Sequence, residues 1–163
     1  MKVYASQTMR VSAKGEYAAR AVLHLAMEYP EVATIHQIAA CHRIPVKYLE
    51  QILLELKRGG ILTSRRGVHG GYLLSRRPEE IFVGEVLQVV DGRFTESSCA
   101  QREQGRGFSS PDSTGCGLQQ VWADIRVAVE SILFETSFAD VCARSLRRPP
   151  AADCSKTPAR LNA

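Results

Sequence analysis

Residues 44–77, IPVKYLEQILLELKRGGILTSRRGVHGGYLLSRR, constrain this chain most, because one bounded helix runs straight into a tight basic hairpin. Pro45 suits a helix start, since the first turn leaves its N–H groups unbonded in any case, and Gly59-Gly60 supplies a left-handed stop. Within the helix Leu49, Ile52, Leu53 and Leu56 recur at three- and four-residue steps and form a core stripe. Lys47, Tyr48, Glu50 and Gln51 fall on the other side, free to read a partner. Ile61 to Arg65 and Tyr72 to Ser75 are strand-like runs, and the three glycines between them permit the positive φ of a hairpin turn. From Lys57 to Arg77 there are six Lys or Arg and no Asp or Glu. The hairpin and its base are therefore predicted to form a purely cationic surface, for which a phosphate backbone is the natural partner.

The flanking sequence completes a winged helix-turn-helix. Ser12 caps a first helix with Tyr17, Ala18, Ala21, Val22 and Leu25 buried, Glu16 and Arg20 outside at an i, i+4 spacing, and Pro30 closing it. Thr34, three residues before Gln37, forms a capping box for a short helix through Ala40, and Cys41-His42-Arg43 is the turn. Pro78-Glu79-Glu80 turns the chain away from the hairpin. A short helix from Val83 to Val90 is expected to pack beneath the wing. The fold class expected is mainly α with a small β-hairpin, a winged helix-turn-helix domain plus a long C-terminal dimerisation helix. Its parts are a flexible extension over 1–8, a DNA-binding domain over 9–90, a cysteine-containing sensor loop over 91–117, a dimerisation helix with a short terminal helix over 118–146, and a disordered basic tail over 147–163. The dimer expectation rests on Leu118, Val121, Trp122, Ile125, Val129, Ile132 and Leu133, an apolar stripe that wants a second copy.

A length of 163 residues with 45% hydrophobic content suffices for one core plus an appendage. The net charge of +4 is only mildly basic, so its clustering argues for nucleic acid more than its sum does. No stretch approaches the ~20 apolar residues that span a bilayer, and no secretory leader is visible, so a cytoplasmic protein without membrane association is expected. Five widely spaced cysteines do not suit a disulfide framework. There is no Cys-x-x-Cys, no recognisable nucleophile–base arrangement and no phosphate-binding glycine loop, which speaks against an enzyme. A DNA-coating architectural protein would also use a basic wing, and near-equal affinity for random and promoter DNA would mark one.

Several segments together resemble the bacterial winged-helix regulators of the IscR, NsrR and CymR kind, the Rrf-two family. They are Met9-Arg10-Val11-Ser12 with Lys14-Gly15-Glu16-Tyr17-Ala18, Tyr48-Leu49-Glu50-Gln51, Arg66-Gly67 with Gly70-Gly71-Tyr72-Leu73-Leu74, Val83-Gly84-Glu85-Val86, and Cys116 six residues before Trp122. The resemblance covers about residues 9–145. It implies homodimeric regulators that bind double-stranded operators with two half-sites, dimerise through the long C-terminal helix and, in some members, hold an iron-sulfur cluster, 2Fe-2S among them, in the preceding loop. Carried over by position, Lys47, Glu50 and Gln51 lie on the reading helix and Arg66 is the wing arginine. With Thr34, Tyr48, Arg65, His69 and Arg76 they make up the candidate DNA contacts. Glu50 can accept from a cytosine amino group, and Arg66 suits a minor groove.

Cluster-binding members have three loop cysteines, whereas Cys99 and Cys116 are two, and Gln119 stands where IscR-like proteins place a histidine. Other members take a carboxylate from the first helix, which by position is Glu16 of the partner subunit. The candidate metal ligands are thus Cys99, Cys116 and Glu16. The sequence leaves open a cluster, a metal-free thiol switch and a pair of unremarkable loop thiols. Cys41 and Cys142, beside apolar helical faces, read as small hydrophobes, and Cys154 as a thiol of the tail. The four histidines show no metal-ligand spacing. The expected function is a DNA-binding regulator, a repressor, governed by the redox or iron-sulfur state of its loop. The alternative is a metal-free regulator answering to a small molecule, a partner enzyme or thiol oxidation.

Overall fold

The computed structural model describes residues 11–67, 70–92 and 117–146. The readings for residues 1–8, His69, Cys99, Cys116 and the tail over 147–163 lie outside them, as do the side chains of Leu118, Gln119 and Trp122. In chain order the elements are α1 (Ala13–Met27), α2 (Ile35–His42), α3 (Val46–Arg58), β1 (Leu62–Arg65), β2 (Gly71–Leu74), a 3-10 turn (Pro78–Glu80), α4 (Val83–Asp91), α5 (Gly117–Glu135) and α6 (Phe138–Leu146). This is the helix-turn-helix and hairpin order expected, with the hairpin antiparallel and Leu62 opposite Leu74.

Local signals explain the boundaries. The Ser12 hydroxyl accepts from the Gly15 N–H at 2.8 Å and opens α1. In the α2 capping box, Thr34 Oγ1 accepts from the Gln37 N–H and Gln37 Oε1 accepts from the Thr34 N–H. This helix runs two residues further than its apolar period suggested and takes Cys41 and His42 into its last turn. The reversal falls on Arg43, left-handed at φ 54°, while the Ile44 N–H closes back on Ala39 O at 3.0 Å. A non-glycine residue there carries about 1–2 kcal/mol of strain, which the buried Ile44 next to it offsets.

The core collects Ala18, Val22 and Leu25 of α1, Ile38 of α2, Leu49, Ile52, Leu53 and Leu56 of α3, Ile61 and Leu74 of the hairpin, and Val86 of α4. The α3 stripe is fully buried, as its spacing predicted. The position of α4 differs from expectation. It packs chiefly on α1, and also on α3 and α5, rather than beneath the hairpin. The hairpin instead rests on the segment before α2, where Ala33 and Tyr72 exchange N–H···O bonds of 3.0 and 2.8 Å.

The glycines divide by purpose. Gly60 and Gly67 hold positive φ, at 75° and 112°, with no described residue within 4 Å of where a side chain would go. Gly71 is needed for close approach, because a Cβ there would stand 2.4 Å from Ala33 O. The chain returns to the winged domain after α5. The Val83 N–H bonds Thr136 O, the Phe138 N–H bonds Ile81 O, and Phe138 enters the core at 1% exposure. This clamp and the α1–α6 packing seat the foot of α5 on the winged domain.

Candidate nucleic-acid interface

Once Leu49, Ile52, Leu53 and Leu56 are committed to the core, helical geometry forces the residues between them outward. Lys47, Glu50 and Gln51 are exposed on α3. Tyr48 is half-buried, its ring edge-on to Tyr17 of α1 with centroids 5.8 Å apart, so it braces α3 as well as bordering the exposed face. Thr34 is half-buried, and its hydroxyl is spent on the cap and on Gln37 Oε1 at 2.8 Å.

On the wing, Arg65 and Arg66 are exposed at the tip end of β1. Among the described residues neither is held by a hydrogen bond or an ion pair, and both can extend to phosphate. Lys57 differs in being tethered to Ser64 Oγ at 2.6 Å, which props the hairpin against the end of α3. Arg76 differs more. Its guanidinium lies 3.3 Å from Glu85 of α4 and donates to Glu80 O at 3.0 Å. The base of the wing is therefore partly neutralised by an acidic residue the hairpin sequence did not contain. Of the six cations over 57–77, Lys57 and Arg76 are engaged within the protein, and Arg58, Arg65, Arg66 and Arg77 are exposed.

Of the candidate cluster ligands, Glu16 is described. It is exposed on α1, and its carboxylate accepts from Arg20 Nη2 one turn later, as the i, i+4 spacing indicated. Cys142, expected to be a small hydrophobe, is a free thiol packed against the core, and burial pushes its pKa up.

The structure also assembles a group that the linear pattern did not suggest. His24 of α1 and Cys41 and His42 of α2 bring one nitrogen, sulfur and nitrogen within 4.8 Å of one another. The imidazoles meet edge to face, with centroids 5.4 Å apart. Burial lowers the His24 pKa against an opposing effect of Glu28, and burial with the charges of His24 and Arg20 brings His42 down to about 4. Both rings are thus neutral at pH 7. Both Nε2 atoms are buried without a hydrogen-bond partner, although Glu28 Oε1 stands 3.5 Å from that of His24. Cys41, read from sequence as a small hydrophobe, is half-buried and disulfide-bonded. His24 is too far from Cys41-His42 in sequence for a spacing rule to join them. The fold of α1 against α2 does so.

Comparison with known proteins places this arrangement. Residues 11–144 match the family model Rrf2, described as an iron-dependent transcriptional regulator. The HTH-type transcriptional regulator IscR of Aliivibrio salmonicida is 31% identical over 134 residues, covering 82% of this chain and 77% of that protein. Among solved structures, CymR, the global cysteine regulator of B. subtilis, superposes with a TM-score of 0.70 at 26% identity, covering 83% of this chain and 97% of that one. IscR of T. potens gives a TM-score of 0.67 at 27% identity, covering 88% and 93%. The winged-helix architecture and the family match agree over nearly the whole described chain, which belongs to the Rrf2 family of transcriptional regulators.

Proposed function

We propose that this protein is a homodimeric, sequence-specific repressor of the cytoplasm whose DNA affinity is set by an iron-sulfur cluster, or by the thiol redox state, of residues 91–117. The observation that carries the DNA-binding part is the exposed pair Arg65 and Arg66 beside an α3 whose outer residues Lys47, Glu50 and Gln51 face solvent. A helix read in the major groove and a wing arginine on the backbone or in the minor groove is how such a surface gains both affinity and sequence choice. Dimerisation is supported by α5. Val121, Ile125 and Ile132 lie along one face and are 49%, 42% and 64% exposed. Spacings of four and seven residues make this a continuous seam, and an isologous pairing of two copies covers it.

Cys99, Cys116 and the partner's copy of Glu16 would hold the cluster. Glu16 suits that role because its exposed pairing with Arg20 is worth under about 1 kcal/mol and is readily exchanged for a metal. Cys142 suits it poorly, since a half-buried thiol with a raised pKa yields little thiolate. A bound cluster would supply an oxygen- and redox-labile group in the segment joining α4 to α5. Since α5 is clamped to the DNA-binding domain at Val83 and Phe138, a change in that segment shifts the relative setting of two reading helices.

The second reading, a metal-free regulator of the CymR kind, is favoured by the likeness to that structure and by a loop with two cysteines. One set of measurements separates them. Protein isolated without oxygen is assayed for visible absorption, iron and sulfide, then used to select duplexes from a random library. A brown protein that enriches a two-half-site sequence supports the first reading. A colourless protein that stays free of iron and sulfide after anaerobic reconstitution, yet enriches such a sequence, establishes the second. Equal retention of all duplexes refutes both.

A further inference from the structure

A second group of metal-binding atoms lies away from the loop, where α1 meets the end of α2. We propose that His24, Cys41 and His42 form a binding site for one borderline divalent ion such as zinc, loaded in the reduced protein and lost when Cys41 is oxidised into its disulfide.

The donor chemistry fits. Two imidazoles and a thiolate are a usual zinc set, and ligand atoms on a tetrahedral zinc lie about 3.3–3.6 Å apart. The three atoms here fall within 4.8 Å of one another, so side-chain movements of about 1 Å close the set. His24 is only 8% exposed, and its Nε2 is buried with no hydrogen bond. A buried polar atom left unpaired costs about 1–3 kcal/mol, and an ion bound between the two nitrogens removes that cost at both rings. Charge is also met. Arg20 opposes an added cation, but the Cys41 thiolate and Glu28, whose Oε1 stands 3.5 Å from His24 Nε2, together offset a dication. Glu28 or water can take the fourth position.

The disulfide at Cys41 gives the site its gate. Two equivalents of a thiol reductant such as glutathione convert that disulfide to two thiols and become one disulfide themselves. The Cys41 thiol then releases its proton as the sulfur binds the ion. Oxidation by a disulfide of the same class reverses the exchange and expels the ion. Because Cys41 and His42 are the last residues of α2, directly before the Arg43 reversal into α3, the ion fastens α1 to the turn that aims the reading helix.

The test uses full-length protein, reduced and stripped with chelator, then titrated with cobalt(II) as the spectroscopic substitute for zinc. One equivalent should bind, with tetrahedral visible bands and a near-ultraviolet sulfur-to-cobalt band. Cys41→Ser should abolish the sulfur band and weaken binding at least tenfold, whereas Cys99→Ser/Cys116→Ser should retain both. Oxidised protein should bind at least tenfold more weakly than reduced. His24→Gln tests the buried imidazole, with far-ultraviolet circular dichroism confirming that it folds. Zinc-loaded wild type gives an independent readout, because iodoacetamide should then label Cys41 at least tenfold more slowly. No cobalt binding by reduced wild type, a sulfur band that survives Cys41→Ser, or unchanged Cys41 labelling with zinc would each overturn the proposal. Loss of cobalt binding in the Cys99/Cys116 variant would also overturn it, assigning the metal to the loop instead.

Discussion

Gly71→Ala should detach the wing from the body of the domain, and the structure sets the size of the effect. A Cβ at this position stands 2.4 Å from Ala33 O and 2.8 Å from Val32 Cγ1, with backbone on the side that would have to yield. A carbon–oxygen contact needs about 3.3 Å, so Ala33 and the hairpin must part by roughly 0.9 Å. The two bonds that Ala33 and Tyr72 exchange, at 3.0 and 2.8 Å, then pass beyond hydrogen-bonding distance. Each is worth about 1 kcal/mol net, and because Ala33 is wholly buried its polar groups stay unpaired. A loss of about 2–4 kcal/mol follows, a large part of a typical 5–15 kcal/mol stability. Urea unfolding of the variant should show a lower midpoint at unchanged slope, and the Tyr72 amide should lose its protection from hydrogen exchange. Operator affinity should fall with it. Gly67→Ala is the control. Its positive φ costs about 1–2 kcal/mol, but no described residue crowds the new methyl group, so Tyr72 protection should persist. If Gly71→Ala unfolds within about 0.5 kcal/mol of wild type with the Tyr72 amide still protected, the argument from close approach is wrong.

Further outcomes follow from the same geometry. Arg66→Ala should weaken specific DNA binding by about 1–3 kcal/mol in fluorescence anisotropy, and equal affinity across a salt series would remove the wing from the interface. Arg76→Ala should act largely through its lost partners Glu85 and Glu80, lowering the melting temperature more than it changes the salt slope; the reverse pattern would make it a phosphate contact. Ile125→Glu/Ile132→Glu should place charge in the α5 seam and give a monomer in sedimentation that binds operator poorly, and a dimer that survives would move the interface elsewhere. In metal-free protein with the Cys41 disulfide intact, His42 titrates at about 4 when folded against 6.5 when unfolded, so the unfolded chain binds the proton first. Its contribution is complete above pH 6.5 and is lost as pH falls toward 4, with His24, Arg20 and Glu28 as the charged groups about it. Thermal melts of wild type against His42→Phe should therefore diverge across that interval, and parallel curves would contradict the assignment.

The sequence by itself determined the reading helix and the wing, because both are set by neighbours in the chain. Leu49, Ile52, Leu53 and Leu56 repeat with the helical period, so burying them decides at once that Lys47, Glu50 and Gln51 face outward. Ser12 and Thr34 each found the N–H three residues on, since capping acts over one turn. The ordered motifs were specific enough to indicate the family that the match over 11–144 shows. Tertiary structure decided whatever depends on partners distant in the chain. The hairpin's own residues contain no acid, yet Glu85 partly neutralises Arg76, because the 3-10 turn after the hairpin brings the first turn of α4 within 3.3 Å of that guanidinium. Gly71 looked like a turn residue and proved to be a gap left for Ala33, which a local φ argument does not reveal. The meeting of His24 with Cys41 and His42 is the extreme case. Helical period describes one face of one helix, and only the packing of α1 on α2 can set two such faces against each other, with the Nε2 atom of each ring lacking a hydrogen bond among the described residues.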